Sequence, residues 1–353
     1  MYKDEISQLI TRSLLEIDTN ILINGRPPTM ANSEFLTNKE QGDWAEKIIY
    51  AAINENLTDY FAVKYGHDGT LAAGDEGFSD FYTEYQNELN DIGKRPDILI
   101  FKKTDFPTAD DVTITNQEHV SKAVAAIEVR SSAFLSEHYA AYMRERQQQA
   151  IDKCNEARNR IIGTPLGEIL RSKNETIYNL IFNANNSTFY DLDFRRQSWS
   201  STQELRDLSE LLKEIKENIK ILHKRDYLSI TPKMEDIALV NRWIQKFNVK
   251  HYYLQVFFDK AYLISFKKIL SLISDAANEG TVFSIEQDVK NQGKTTIKIN
   301  VQIGEEVIGR IDEPSLIAEK KILERGRLLF FVKFDGGKGY LNNDTFTREV
   351  INA

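Results

Sequence analysis

A single cysteine, Cys154, in 353 residues leaves no intramolecular disulfide and no cysteine-based zinc site. The five histidines, His67, His119, His138, His223 and His251, show no metal-ligand spacing. No apolar run is long enough to cross a bilayer, the longest being short stretches such as LQVFF. The start, MYKDEISQLITRSLLEID, is charged and helix-like with no apolar signal core, so a cytoplasmic protein with no membrane partner is expected. Internal repeats and low-complexity segments are absent. Positive charge is also short: the formal net charge is −8, against the basic footprint usual for nucleic-acid binders. That total does not describe any one cleft, and a metal site for phosphate chemistry needs carboxylates of its own. What the chain does have is 41% hydrophobic and 28% charged residues, enough to bury a proper core in one large domain or two ordinary ones.

Periodicity predicts a helix in NKEQGDWAEKIIYAAINENL, with a stripe of Trp44, Ala45, Ile48, Ile49, Ala51, Ala52 and Leu57. A Gly/Asp-rich loop, YGHDGTLAAGDEGFSD, follows. RPDILIFKK reads as a strand, and AVAAIEVRSS as its partner after the polar insertion TDFPTADDVTITNQEHVSK. A long helix is expected from about Ser136 to Ile162, with Met143, Ala150, Cys154, Ala157 and Ile161 inward and Arg144, Arg146, Lys153, Arg158 and Arg160 on other faces. SSTQELRDLSELLKEIKENIKILHK is a second amphipathic helix. A third should be capped by Thr231, open at Pro232 and carry Glu235 and Asp236 in its first turns. HYYLQVFF and KAYLISF read as two strands around Asp259-Lys260, with aromatics packed in the core. The tail is β-rich. FDGGKGY, Phe334 to Tyr340, does not have the spacing of a phosphate loop and reads as a hairpin turn. The expected class is α/β, a mixed sheet flanked by helices. Its expected parts are an N-terminal helical segment (1–39), a core with helical insertions (40–278) and a β-rich C-terminal extension (279–353).

Alternation along the two early strands puts Asp97, Leu99 and Phe101 on one face and Glu128 with Arg130 on one face of the next. If the strands are neighbours, Asp97 and Glu128 converge. Two carboxylates so close are tolerable when a cation lies between them or one is protonated. Hard oxygens without histidine or cysteine favour Mg²⁺, which can orient water at a phosphodiester. Arg130 cannot be a general base, because a guanidinium stays charged near neutral pH. Stabilising a transition state and merely neutralising Glu128 both remain open to it.

RPDILIF followed by AIEVRSS resembles the PD-(D/E)xK nuclease superfamily, and EVRSSAF with the later HYYLQVFFDKAYLISFKKIL further resembles type II restriction endonucleases of the AccI-like kind. The motif residues run from about 46 to 130, a weaker likeness reaches about 270, and the tail after 279 is not covered. The resemblance implies a restriction-endonuclease-like core. It also implies Mg²⁺-dependent, site-specific cutting of double-stranded DNA in a restriction–modification system, with a homodimer expected. Asp97 and Glu128 would be metal ligands and Glu46 a third acid, though Glu46 also suits the polar face of its helix. Arg130 stands where the family carries lysine; Lys102 and Lys122 are candidate sources of an ammonium. Arg144, Arg146, Gln147 and Lys153 could touch DNA phosphates or base edges, or could form a solvated face. The missing lysine keeps open a DNA-binding protein that does not cut. The acidic total and the helix near 202–224 keep open a protein-interaction or structural role.

Overall fold

The computed structural model describes residues 1–67, 71–288, 294–323 and 325–353; residues 68–70 of the predicted Gly/Asp loop lie outside the described residues. In chain order the helices are α1 (Tyr2–Arg12), α2 (Ser33–Asn56), α3 (Phe78–Asp91), α4 (Gln117–Ser121), α5 (Ser136–Ile162), α6 (Leu166–Lys173), α7 (Glu175–Asn183), α8 (Gln203–Leu222), α9 (Met234–Phe247), α10 (Phe266–Ile273) and α11 (Asn343–Phe346). The strands are β1 (Tyr60–Lys64), β2 (Ile98–Lys102), β3 (Ala125–Ser131), β4 (Ser229–Ile230), β5 (His251–Val256), β6 (Ala261–Ser265), β7 (Phe283–Asp288), β8 (Lys294–Asn300), β9 (Glu305–Ile311), β10 (Ser315–Ile322), β11 (Leu328–Asp335) and β12 (Gly339–Leu341).

Seven strands form one sheet in the order β1-β2-β3-β5-β6-β9-β12. Only β3 and β5 run parallel; every other neighbouring pair is antiparallel. A single parallel pair requires a long crossover, and the chain spends residues 132–250 on it. β2 and β3 pair as expected, with Ile98 opposite Ile127 and Ile100 opposite Ala125. β5 and β6 form the hairpin around Asp259-Lys260, closed by the Phe257 N–H on the Lys260 carbonyl at 2.8 Å. β1, unrecognised in the sequence, adds an outer strand to β2.

α2 covers one face of this sheet. Asn32 caps it by accepting from the Phe35 N–H at 2.7 Å. Its Trp44, Ile48, Ile49, Ala52 and Ile53 are buried against Ile98, Ile100, Ile127, Val129, Leu254 and Val256, while Ala51, expected inward, is exposed.

The three-part division expected from the sequence is not the one seen. One compact unit comprises Met1–Ser136 with Leu228–Ala353, and a second comprises Glu137–Tyr227. β9 and β12, from the supposed extension, complete the main sheet. The second unit is helical, its core formed by Ala150, Cys154, Ala157 and Ile161 of α5 packed with Leu208, Leu212, Ile215, Ile219 and Leu222 of α8.

Two local readings are corrected. FDGGKGY is no hairpin turn: β11 pairs with β10 and β12 with β9, so the segment carries the chain between two sheets. Gly337 has φ +87°, and a Cβ there would stand 2.8 Å from the Asp312 carbonyl oxygen. The other concerns α9, which starts at Met234 after Lys233 as N-cap, not at Pro232. Residues 229–233 are taken by pairing to β8, where the Ile297 N–H donates to the Pro232 carbonyl at 3.0 Å.

Candidate active site

The β2–β3 register brings the two acids together. One step beyond the Ile98–Ile127 pair, Asp97 donates its N–H to the Ile127 carbonyl at 3.0 Å. Its Oδ2 accepts the Val129 N–H at 2.7 Å. Its own carbonyl accepts from Tyr65 and Gly66 at the end of β1. Glu128 and Arg130 lie on the opposite face of β3 from Ile127 and Val129, whose side chains enter the core under α2. Glu128 is only 2% exposed.

A carboxylate so deeply buried needs compensation. Arg130 supplies part, with Nη2 at 3.0 Å from Glu128 Oε1. The shorter contact comes from Lys94, whose Nζ is 2.6 Å from the same oxygen. Both cations also meet Asp236 Oδ2 from the first turn of α9, Lys94 at 3.0 Å and Arg130 at 2.5 Å. Two acids and two bases thus form a closed neutral cluster. Lys94 is set by its neighbour. Gly93 has φ +85° and packs so closely on α9 that a Cβ would lie 2.2 Å from the Leu239 carbonyl oxygen. The Lys94 N–H donates to that carbonyl at 3.1 Å.

Neither Lys102 nor Lys122 plays this part. Lys102 is exposed at the far end of β2, roughly 16 Å of extended chain from Asp97. Lys122 sits over the Phe106 ring. Sequence reading missed Lys94 and Asp236. Asp236 was seen only as a helix-dipole acid; Gly-Lys just before Arg-Pro-Asp was the available cue for Lys94.

The electrostatics divide the acids. Asp236 is held down to about 2, because Lys94 and Arg130 outweigh its burial. Asp97 is pushed well above the ordinary carboxylate range by burial, then by Glu128 and Glu46; the Val129 N–H opposes this. Glu46, part-buried on α2, is pushed up to about 7 by burial, Asp43 and Glu128. Burial and Arg130 work against the Lys94 ammonium, but Asp236 and Glu128 outweigh them and keep it charged.

Among the described residues no group of three or more His, Cys, Asp and Glu side chains is arranged to hold a metal ion. The donors that are present suit a small hard cation. Glu128 Oε2 is buried without a hydrogen-bond partner, and Asp97 and Glu46 feel it and each other as like charges.

A row of polar side chains follows along β5. His251, Tyr253 and Gln255 stand in register with Ala126, Glu128 and Arg130. All three are buried, and both His251 nitrogens, the Tyr253 hydroxyl and Gln255 Oε1 have no partner among the described residues. Gln255 Nε2 donates to Ser132 Oγ at 3.0 Å. Gln41 of α2, its amide oxygen turned to the strand end, accepts from the Ser132 and Ala133 N–H groups at 3.1 and 3.2 Å.

The proposed DNA-contacting residues are on α5, within the helical unit. Arg144 and Lys153 are exposed. Arg146 Nη2 reaches the Lys224 and Arg225 carbonyls at 3.4 and 3.3 Å, and Gln147 Nε2 donates to Asp226 at 2.7 Å.

No helix among the described residues is long and apolar enough to cross a membrane. No curated protein and no solved structure matches the chain. The family model for AccI restriction endonuclease matches residues 2–352, tail included. The match spans nearly the whole chain, and the chain belongs to the AccI restriction endonuclease family, type II enzymes that hydrolyse DNA.

Proposed function

We propose that this protein makes Mg²⁺-dependent, sequence-specific double-strand cuts in DNA, as the nuclease of a cytoplasmic restriction–modification system. The observation that carries the reading is Glu128 Oε2, a buried carboxylate oxygen with no partner, one strand away from the like-charged Asp97. Asp97 and Glu128 would hold the ion, with Glu46 as a further acid from α2. When bound, Mg²⁺ supplies a more acidic water and neutralises charge on the phosphodiester. Arg130 is a fixed guanidinium that stabilises the extra negative charge of the transition state; it takes no proton. Arg144 and Lys153 reach phosphates, while Arg146 and Gln147 brace the helix that carries them. A homodimer would match its two-fold to a palindromic site.

Plasmid DNA incubated with the protein and Mg²⁺ should yield discrete fragments, and Asp97→Asn should abolish them. Intact plasmid with the wild type, or full cutting by Asp97→Asn, would overturn the reading. Retention on DNA without cutting would instead identify a binding protein on the same fold.

A further inference from the structure

The motif position that carries lysine in the resembling nucleases carries Arg130 here, yet a lysine is present at the acid pair. The four distances of the cluster divide the labour. Lys94 is nearer to Glu128 (2.6 Å) than to Asp236 (3.0 Å), whereas Arg130 is nearer to Asp236 (2.5 Å) than to Glu128 (3.0 Å). Each cation thus bridges both acids, Lys94 making the shortest contact to Glu128 and Arg130 the shortest to Asp236. An ammonium has three N–H donors. Glu128 and Asp236 take two of those on Lys94. Its side chain is 16% exposed, so the third is not sealed from solvent.

We infer that Lys94, entering from the turn before β2, does the work of the absent strand lysine. It fixes Glu128 by Oε1, so that Oε2 alone faces the reaction, and offers its third N–H to an oxygen of the scissile phosphate. Arg130, which also touches Asp236, adds its charge beside Lys94. In the reaction water oxygen bonds to phosphorus, the P–O bond to the leaving oxygen breaks, the water gives up its proton to solvent, and the leaving oxygen takes a proton from solvent to become a hydroxyl. Lys94 stays protonated throughout and stabilises charge only. Gly93 makes the placement possible, since any side chain there would push the turn off α9. This inference rests on the Mg²⁺-dependent cutting proposed above.

The test uses the full chain with Lys94→Met, Lys94→Arg, Arg130→Met and the charge-balanced double variant Lys94→Met/Asp236→Asn. The last keeps the buried cluster neutral and so guards against a misfolded single variant. Three readouts are taken: single-turnover cleavage of pre-bound DNA with Mg²⁺, DNA affinity in Ca²⁺ without turnover, and melting temperature. Lys94→Met and the double variant should cleave on the order of 100-fold slower or worse, the usual loss for one donor at a developing charge. DNA affinity should stay within a few-fold, and Lys94→Arg should recover most of the rate. Arg130→Met should lose less than Lys94→Met. A double variant that cleaves at the wild-type rate, or a rate loss matched by lost DNA affinity and melting temperature, would overturn the role of Lys94. A wild type that does not cut, or an active Asp97→Asn, would instead remove the reading on which it rests.

Discussion

At the scale of single residues the acid pair is under electrostatic load that a cation would relieve. Glu46 is pushed up to about 7 and Asp97 is raised by burial and by Glu128. A carboxyl whose folded value lies above its unfolded value stabilises the fold fully below about 4.5 and loses that contribution as pH rises through about 7. The protein without divalent ion should therefore be less stable at pH 8 than at pH 5.5 on account of this cluster. Added Mg²⁺ should raise the melting temperature by roughly 2–4 °C at pH 8 and much less at pH 5.5. Glu46→Gln should shrink the difference. Thermal unfolding at the two pH values decides it, and equal shifts at both would contradict a load relieved by the ion. His251 works in the other direction. Burial holds its imidazole down to about 4, so its neutral form adds stability above about 6.5 that fades as pH falls towards 4. The convergence of Asp97 and Glu128 is legible in the sequence because strand alternation and an antiparallel register are short-range rules. Lys94 and Asp236 are not legible, because they meet across 142 residues through the docking of a turn on a helix.

At the scale of elements the site depends on how the turn before β2 lies on α9. Gly93 sits there in a left-handed conformation with Leu239 and Trp243 backbone atoms where a Cβ would go. Backbone atoms inside a helix cannot move aside as a flexible side chain can. Gly93→Ala should cost roughly 3–5 kcal/mol in a denaturant titration, combining backbone strain with a clash. A loss below about 1 kcal/mol, the usual spread for a glycine to alanine change, would show that the turn tolerates a shift. Elements governed by their own periodicity are visible in the sequence: α2, α5, α8 and the β5–β6 hairpin all appear where the pattern puts them. Elements governed by distant partners are not. The start of α9 moves from Pro232 to Met234 because residues 229–233 are drawn into pairing with β8. FDGGKGY loses its hairpin because the strands flanking it find partners in different sheets.

At the scale of the whole molecule the change in character after residue 279 reads in the sequence as a boundary, yet the sheet closes across it. β9 pairs with β6, and β12 pairs with β9, so two of the seven strands of the main sheet come from the tail. Val307, Ile308, Ile311, Phe334, Phe346 and Val350 enter the same core as Trp44, Ile127 and Leu254. Burying such side chains stabilises a fold by about 1.5–3 kcal/mol each, so these six together contribute roughly 10–20 kcal/mol. Domains as a rule have a net stability of only about 5–15 kcal/mol. Removing the tail would also leave β6 as an unpaired edge with apolar residues on it. A chain ending at residue 278 should therefore fail to fold, even though it keeps Asp97, Glu128, Arg130, Lys94 and Asp236. The expected outcome is insoluble protein, or soluble protein without a cooperative thermal transition, and no DNA cleavage. A soluble fragment that melts cooperatively and cuts DNA would show that the sheet is self-sufficient at β6 and that the tail is an added part. Adding residues 279–353 as a separate chain gives the converse measure. Cutting should return only if β9 re-forms its pairing with β6.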